Sequence, residues 1–189
     1  PSVANTEILV KLRDHLNAKY GLRITTLSGG ATCVIRLLEE GKLHPAINHL
    51  RVGEAILYGE DTDGNRFLEG YHTDAFLFKA QVVELKRKPS VPIGERGRDC
   101  LGNTPEYPDR GVRLRAICAA GKQDVAWAAL TPLLPGAFLL GASSDHLIVD
   151  VEDCAGQVKV GDYLTFRCGY MAVLDATTSA YVQRRIVKD

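Results

Sequence analysis

The sequence lacks any excess of charge of one sign: Lys plus Arg number 23, Asp plus Glu number 23, and the formal net charge is zero. Without a basic field there is nothing to concentrate nucleic acid or an anionic membrane, and neither is an expected partner. No apolar run approaches the roughly 18 residues needed to cross a bilayer, and no positively charged leader precedes an apolar core, so a soluble protein is expected. The five cysteines, Cys33, Cys100, Cys118, Cys154 and Cys168, are odd in number and never spaced CxxC. Neither a zinc site nor a disulfide framework is suggested, and the expectation is reduced, mostly buried thiols in the cytoplasm, with no metal. Methionine occurs once, at Met171, and the chain opens Pro1-Ser2-Val3, which reads as a processed, proteolysed or truncated chain. Internal repeats and low-complexity tracts are missing as well.

What remains is a globular composition. Of 189 residues, 46% are apolar and 24% charged, a balance that buries a core and argues against disorder. From Thr6 to Tyr20, Ile8, Leu9, Leu12, Leu16 and Tyr20 recur at helical spacing, with Thr6 as N-cap and Gly21 as the stop. A short strand is expected over Leu22–Leu27, a tight loop at Ser28-Gly29-Gly30, a helix over Thr32–Glu40 closed by Gly41, and a buried strand over Ile47–Leu57. That alternation is the rhythm of a parallel α/β sheet or barrel. After about Thr73 the pattern becomes period-2, in Ala75–Leu85, Val112–Ala119, Phe138–Leu140, His146–Val151 and Tyr163–Cys168, separated by Pro and Gly turns. This half is expected to be mostly antiparallel β, with Lys86–Gly111 as a long excursion.

Four constellations could carry chemistry. The loop Ser28-Gly29-Gly30-Ala31-Thr32 stands where a strand passes into a helix start, which offers unpaired N–H groups, a partial positive charge and small residues that admit an anion. An ordinary tight βα turn would read the same way. Arg51, expected at a buried strand end before Gly53, needs an acceptor, either a carboxylate such as Glu54 or Glu60 or a ligand atom. Ser143-Ser144-Asp145-His146 is too local to form a hydrolase triad and reads as a polar turn, while Tyr170 reads as a core tyrosine.

Taken together, Ser28-Gly29-Gly30, the run Ile47-Asn48-His49-Leu50-Arg51-Val52-Gly53-Glu54-Ala55-Ile56-Leu57 and the run from Gly141 to Val151 resemble the alanine-racemase superfamily of fold-type III pyridoxal-phosphate enzymes. The likeness is nearest to its ornithine-racemase-like branch, and it takes in Lys86–Gly94, Arg110–Val125 and Tyr170–Val182 as well. The resemblance implies an α/β plus β fold: residues 1–70 as the last strands and helices of a TIM-like (β/α)8 barrel, and residues 71–189 as a mainly antiparallel, dimer-forming C-terminal β domain that contributes to a shared active site. It implies pyridoxal 5'-phosphate as cofactor and an amino-acid substrate whose α-proton is removed and returned. The partner would be a second copy or a complementary N-terminal barrel half.

By the same resemblance Ser28, Gly30, Ala31 and Thr32 belong to the phosphate site, Thr32 standing where the family has a serine, and the amides of Gly53 and Glu54 complete the cup. Arg51 would donate to the pyridine nitrogen, keeping it unprotonated and weakening the electron sink. Tyr170 would give a phenol hydrogen bond to the phosphate. Ser144 and Asp145 would form the turn that reaches the neighbouring subunit's site, where backbone by Ser144 receives the substrate carboxylate. Two features depart from the family. The Schiff-base lysine is not in this sequence, since Lys79, Lys86 and Lys122 match no such motif, so the chain alone is expected to be inactive. Ala119-Ala120-Gly121 stands where alanine racemase has a tyrosine base before a glycine, leaving Cys118, Asp124 and His146 as unranked replacements. A non-catalytic binding or assembly module of the same fold is the alternative, and decarboxylation is a third.

Overall fold

The computed structural model describes residues 2–61, 66–94, 97 and 108–187, and the chain divides into two compact units, Pro1–Ala75 and Phe76–Asp189. The first unit opens with helix α1, Val3–Tyr20, which ends at Gly21 as expected. Its start lies upstream of the expected Thr6: Ser2 is the cap, its hydroxyl accepting the Asn5 N–H at 3.3 Å. Thr6 is buried one turn inside and donates its hydroxyl to the Val3 carbonyl at 2.7 Å. A 3-10 turn, Thr32–Val34, runs directly into α2, Ile35–Glu39, so the helix expected from Thr32 is present. Helix α3, Glu54–Tyr58, follows, and then a two-residue antiparallel pair, β1 (Glu60–Asp61) with β2 (Arg66–Phe67).

The strands expected over Leu22–Leu27 and Ile47–Leu57 do not form. In their place is one isolated parallel bridge, Ser28 to His49, supported by Gly29 N–H to the His49 carbonyl at 3.0 Å and Arg51 N–H to the Gly30 carbonyl at 2.8 Å. Parallel strands are stable when flanked and covered, and among the described residues these two segments find only each other. The Asn48 carboxamide takes over part of the ladder's work, accepting the Leu27 N–H at 2.9 Å and donating to the Thr25 carbonyl at 2.8 Å. Residues 54–57 are helical instead, because a short apolar run satisfies either period equally.

The second unit is a six-stranded antiparallel sheet of β3 (Leu77–Pro89), β4 (Val112–Cys118), β5 (Leu130–Pro132), β6 (Phe138–Ala142), β7 (Leu147–Asp150) and β8 (Tyr163–Cys168), ordered β5-β8-β3-β4-β7-β6. It curls until its edge strands β5 and β6 approach one another, in the manner of a nearly closed barrel. Alternate residues make the core: Phe78, Ala80 and Val82 of β3, Leu147 and Val149 of β7, and Leu164, Phe166 and Cys168 of β8 are all buried. Helix α4, Tyr170–Thr178, follows β8. A bulge at Val83, between the Val82–Cys118 and Glu84–Ile117 pairs, bends the long strand β3.

The expected excursion is shorter than Lys86–Gly111, because Lys86–Pro89 pairs with Val112–Arg115 as ordinary ladder. Its base is tied off by Ser90, whose hydroxyl donates to Asp109 at 3.0 Å and accepts the Arg110 N–H at 2.6 Å. Residues 95–96 and 98–107 of that segment lie outside the described residues, as does Cys100. Arg113 on β4 clamps the end of β7, donating to the buried Asp150 at 2.6 Å and to Asp153 at 2.9 Å. No described helix is long and apolar enough to cross a membrane.

Candidate cofactor and substrate sites

In the first unit two helix starts meet. The 3-10 turn at Thr32 and helix α3 both begin without a side-chain cap, at Ala31 and Gly53 respectively. Their adjacency is fixed by Thr32, whose buried hydroxyl accepts the Ala55 N–H at 3.3 Å and so keeps its own hydrogen to donate. Among the described residues the N–H groups of Thr32, Cys33 and Gly53 give no backbone hydrogen bond, as befits first-turn donors. A Cβ at Gly53 would meet nothing within 4 Å, so the space before α3 is open. This donor set fits a phosphate: several unclaimed N–H groups, one hydroxyl and two converging helix starts.

The glycines of the loop have a local cause as well. A Cβ on Gly29 would lie 2.6 Å from Ile47 Cγ2, and Gly30, at φ +133°, would place one 2.7 Å from Val34 Cγ2. Packing alone therefore demands both residues, whatever the loop binds.

Arg51 is exposed, not buried as expected, because the segment that carries it is not an enclosed strand. Its Nη1 donates to Ser28 Oγ, which brings the guanidinium back over the glycine loop. The acceptor that the sequence left open is thus a loop hydroxyl, with the remaining guanidinium donors facing solvent.

The second unit holds the other expected residues. Tyr170 is half exposed as the first residue of α4, not a core side chain. Ser143–His146 is the turn joining β6 to β7, closed by the Ser143 N–H to the His146 carbonyl at 2.8 Å, and all four residues are exposed. Ser144 Oγ donates to the Asp145 carboxylate at 2.7 Å.

The turn leans on Gly121, and here sequence reasoning missed the decisive contact. A Cβ at Gly121 would lie 2.2 Å from Ser144 O and 2.4 Å from Asp145 N, so the two backbones are stacked. Of the replacement bases, Cys118 is fully buried and its thiol is pushed up to about 12 by burial, which disqualifies it near neutrality. Asp124 is buried and accepts the Gly121 N–H at 2.9 Å, a structural use, while His146 stands exposed in the turn.

No family model matches the chain. It is 44% identical over 187 residues to an ornithine racemase of Acetoanaerobium sticklandii, covering 99% of this chain and 53% of that protein. A lysine racemase of Thermotoga maritima is 44% identical over 184 residues, covering 97% and 52%. The chain belongs to the alanine-racemase superfamily. It spans about half the length of these relatives and corresponds to their C-terminal half. The solved alanine racemase of Pseudomonas aeruginosa shares the fold at a TM-score of 0.52 and 21% identity, over 91% of this chain and 50% of that one. Within the alanine-racemase superfamily the sheet of the second unit is the C-terminal β domain.

Proposed function

We propose that this chain is the C-terminal part of a pyridoxal-phosphate-dependent amino-acid racemase acting on amino acids with a basic side chain. The paired, uncapped helix starts joined by Thr32, with Arg51 returned over the same loop, carry the proposal. The relatives' names, ornithine and lysine racemase, support the substrate class. When bound, the cofactor supplies an electron sink that acidifies the hydrogen on the substrate's α-carbon.

Thr32 and the amides of Thr32, Gly53 and Glu54 would hold the phosphate, with Ser28, Gly30 and Ala31 shaping the cup. Arg51 would present its guanidinium to the ring nitrogen. A guanidinium donor at that nitrogen would leave it without a proton of its own and weaken the electron sink, disfavouring side reactions such as transamination. Ser144 and Asp145 bring a backbone donor to the substrate carboxylate in the site of a neighbouring subunit. The barrel strands before residue 1 and the Schiff-base lysine would come from the rest of the protein or from a complementary chain. Ile8, Leu12, Leu38, Ile56 and Leu57 are exposed apolar residues of the first unit that such a neighbour would cover.

The test is to incubate the full-length protein containing this sequence with pyridoxal phosphate and L-ornithine or L-lysine in D2O. Loss of the α-hydrogen signal by NMR, with formation of the D-enantiomer by chiral chromatography, is the expected result. Retention of the α-hydrogen in both substrates would overturn the proposal.

A further inference from the structure

We propose that Asp124 is a positioning residue, holding the Gly121–Asp124 turn against the Ser144–Asp145 peptide so that the Asp145 N–H stands ready for a substrate carboxylate. The ligand in this inference rests on the racemase reading; the clamp itself rests on contacts within the second unit.

A buried carboxylate must be compensated, and Asp124, 7% exposed, is compensated by the backbone it sits in. It accepts the Gly121 N–H at 2.9 Å, while the Asp124 and Val125 N–H groups return to the Gly121 carbonyl at 3.0 and 3.2 Å. Gly121 is therefore gripped through both its N–H and its carbonyl, and the turn is rigid. From this rigid turn two donors project at the neighbouring hairpin: Lys122 N–H to the Ser143 carbonyl at 2.9 Å and Gln123 N–H to the Ser144 carbonyl at 3.0 Å. The face of Gly121 lies on the Ser144–Asp145 peptide so closely that any side chain would displace it.

The consequence follows from the geometry of a trans peptide, in which C=O and N–H point in opposite directions. No peptide bond in the described chain is cis. With the Ser144 carbonyl drawn to Gln123, the Asp145 N–H is aimed away from the clamp, and among the described residues it gives no hydrogen bond. Both residues of that peptide are exposed, and the Asp145 carboxylate beside it is already engaged by Ser144 Oγ. A donor fixed before the ligand arrives spares the ordering cost at binding. Asp124 touches no substrate in this scheme; it acts through the turn.

The experiment compares Asp124→Ala and Asp124→Asn in the full-length protein. Asn keeps an oxygen that can accept the Gly121 N–H, whereas Ala does not. Amide hydrogen exchange over residues 143–146 should quicken about tenfold in Asp124→Ala, the size of one lost buried hydrogen bond. The KM for the amino acid should rise by a similar factor, with kcat and cofactor affinity held within about threefold. Asp124→Asn should restore both readouts. Should Asp124→Ala fail to fold, Asp124→Glu, which moves the carboxylate by one methylene, carries the same expectation at smaller size. Unchanged exchange at 143–146 would overturn the clamp, and quickened exchange with an unchanged KM would overturn the positioning role. Quickened exchange in a protein that turns over no amino acid would instead sink the racemase reading and leave the clamp standing.

Discussion

Replacing Gly121 by Ala asks the structure its sharpest packing question. The added methyl carbon would begin 2.2 Å from Ser144 O and 2.4 Å from both Ser144 C and Asp145 N, where ordinary contact starts at 3.4 Å. The obstacle is backbone on both sides, so no flexible side chain can swing clear, and the hairpin must retreat by roughly 1 Å. That movement stretches the Gln123–Ser144 and Lys122–Ser143 hydrogen bonds, now 3.0 and 2.9 Å. Overpacking of this kind costs about 1–3 kcal/mol, to which weakening of the two bonds adds on the order of 1 kcal/mol. Thermal unfolding of Gly121→Ala should then fall by roughly 4–16 °C, at about 2–4 °C per kcal/mol for a chain of this size. Gly141→Ala is the control, since a Cβ at Gly141 meets nothing within 4 Å and its backbone is not left-handed. Equal melting temperatures for the two variants would refute the stacking of Gly121 on the hairpin.

Three further outcomes follow from the same contacts. Burial by itself would raise the Asp150 carboxyl, but Arg113 and the Glu152 N–H outweigh it and hold it below the usual range; the Leu114 N–H and then Arg87 do the same for Glu152. Groups depressed on folding stabilise fully above the unfolded carboxylate range near pH 4 and lose that stabilisation as pH falls through their folded values, so melting temperature should drop below about pH 4. In Asp150→Asn that drop should be shallower, on a protein already less stable, because Arg113 then keeps only Asp153 as a charged partner. Thiol labelling at pH 8 should find Cys118, pushed up to about 12, and Cys168, pushed up to about 11 by burial, unreactive until denaturant is added, with half-buried Cys33 reacting earlier. Thr32→Val should weaken pyridoxal-phosphate binding about tenfold or more in a fluorescence titration, because it strips the Ala55 N–H of its acceptor as well as a phosphate donor; Thr32→Ser should restore it.

The second unit was the more legible in sequence. Its strands alternate buried and exposed residues, as in Phe78, Ala80 and Val82, and that period survives folding because one face packs on the core. Strand β5 escaped notice because three residues ending in Pro132 offer no period, and α4 because it has neither a capping side chain nor a charged stripe. In the first unit the apolar run after Ile47 fitted strand and helix alike, and Asn48, which sets the loops in place, looks in sequence like any polar residue. The glycine loop could be read because its residues are contiguous, whereas the bonds that tie Arg51 to Ser28 and Ala55 to Thr32 each span 23 positions and have no local sign. The Gly121–Ser144 contact could not, since it joins residues more than twenty positions apart and nothing local marks Gly121 as indispensable.

The central claim is that two uncapped helix starts and one guanidinium form a cofactor cradle, and a crystal structure of the full-length protein grown with pyridoxal phosphate tests it most directly. The account predicts phosphate oxygens within hydrogen-bonding distance of Thr32 Oγ1 and the Gly53 N–H, with the Arg51 guanidinium on the ring nitrogen. A cofactor bound elsewhere, or an Arg51 that stays on Ser28 and turns away from the ring, would contradict it.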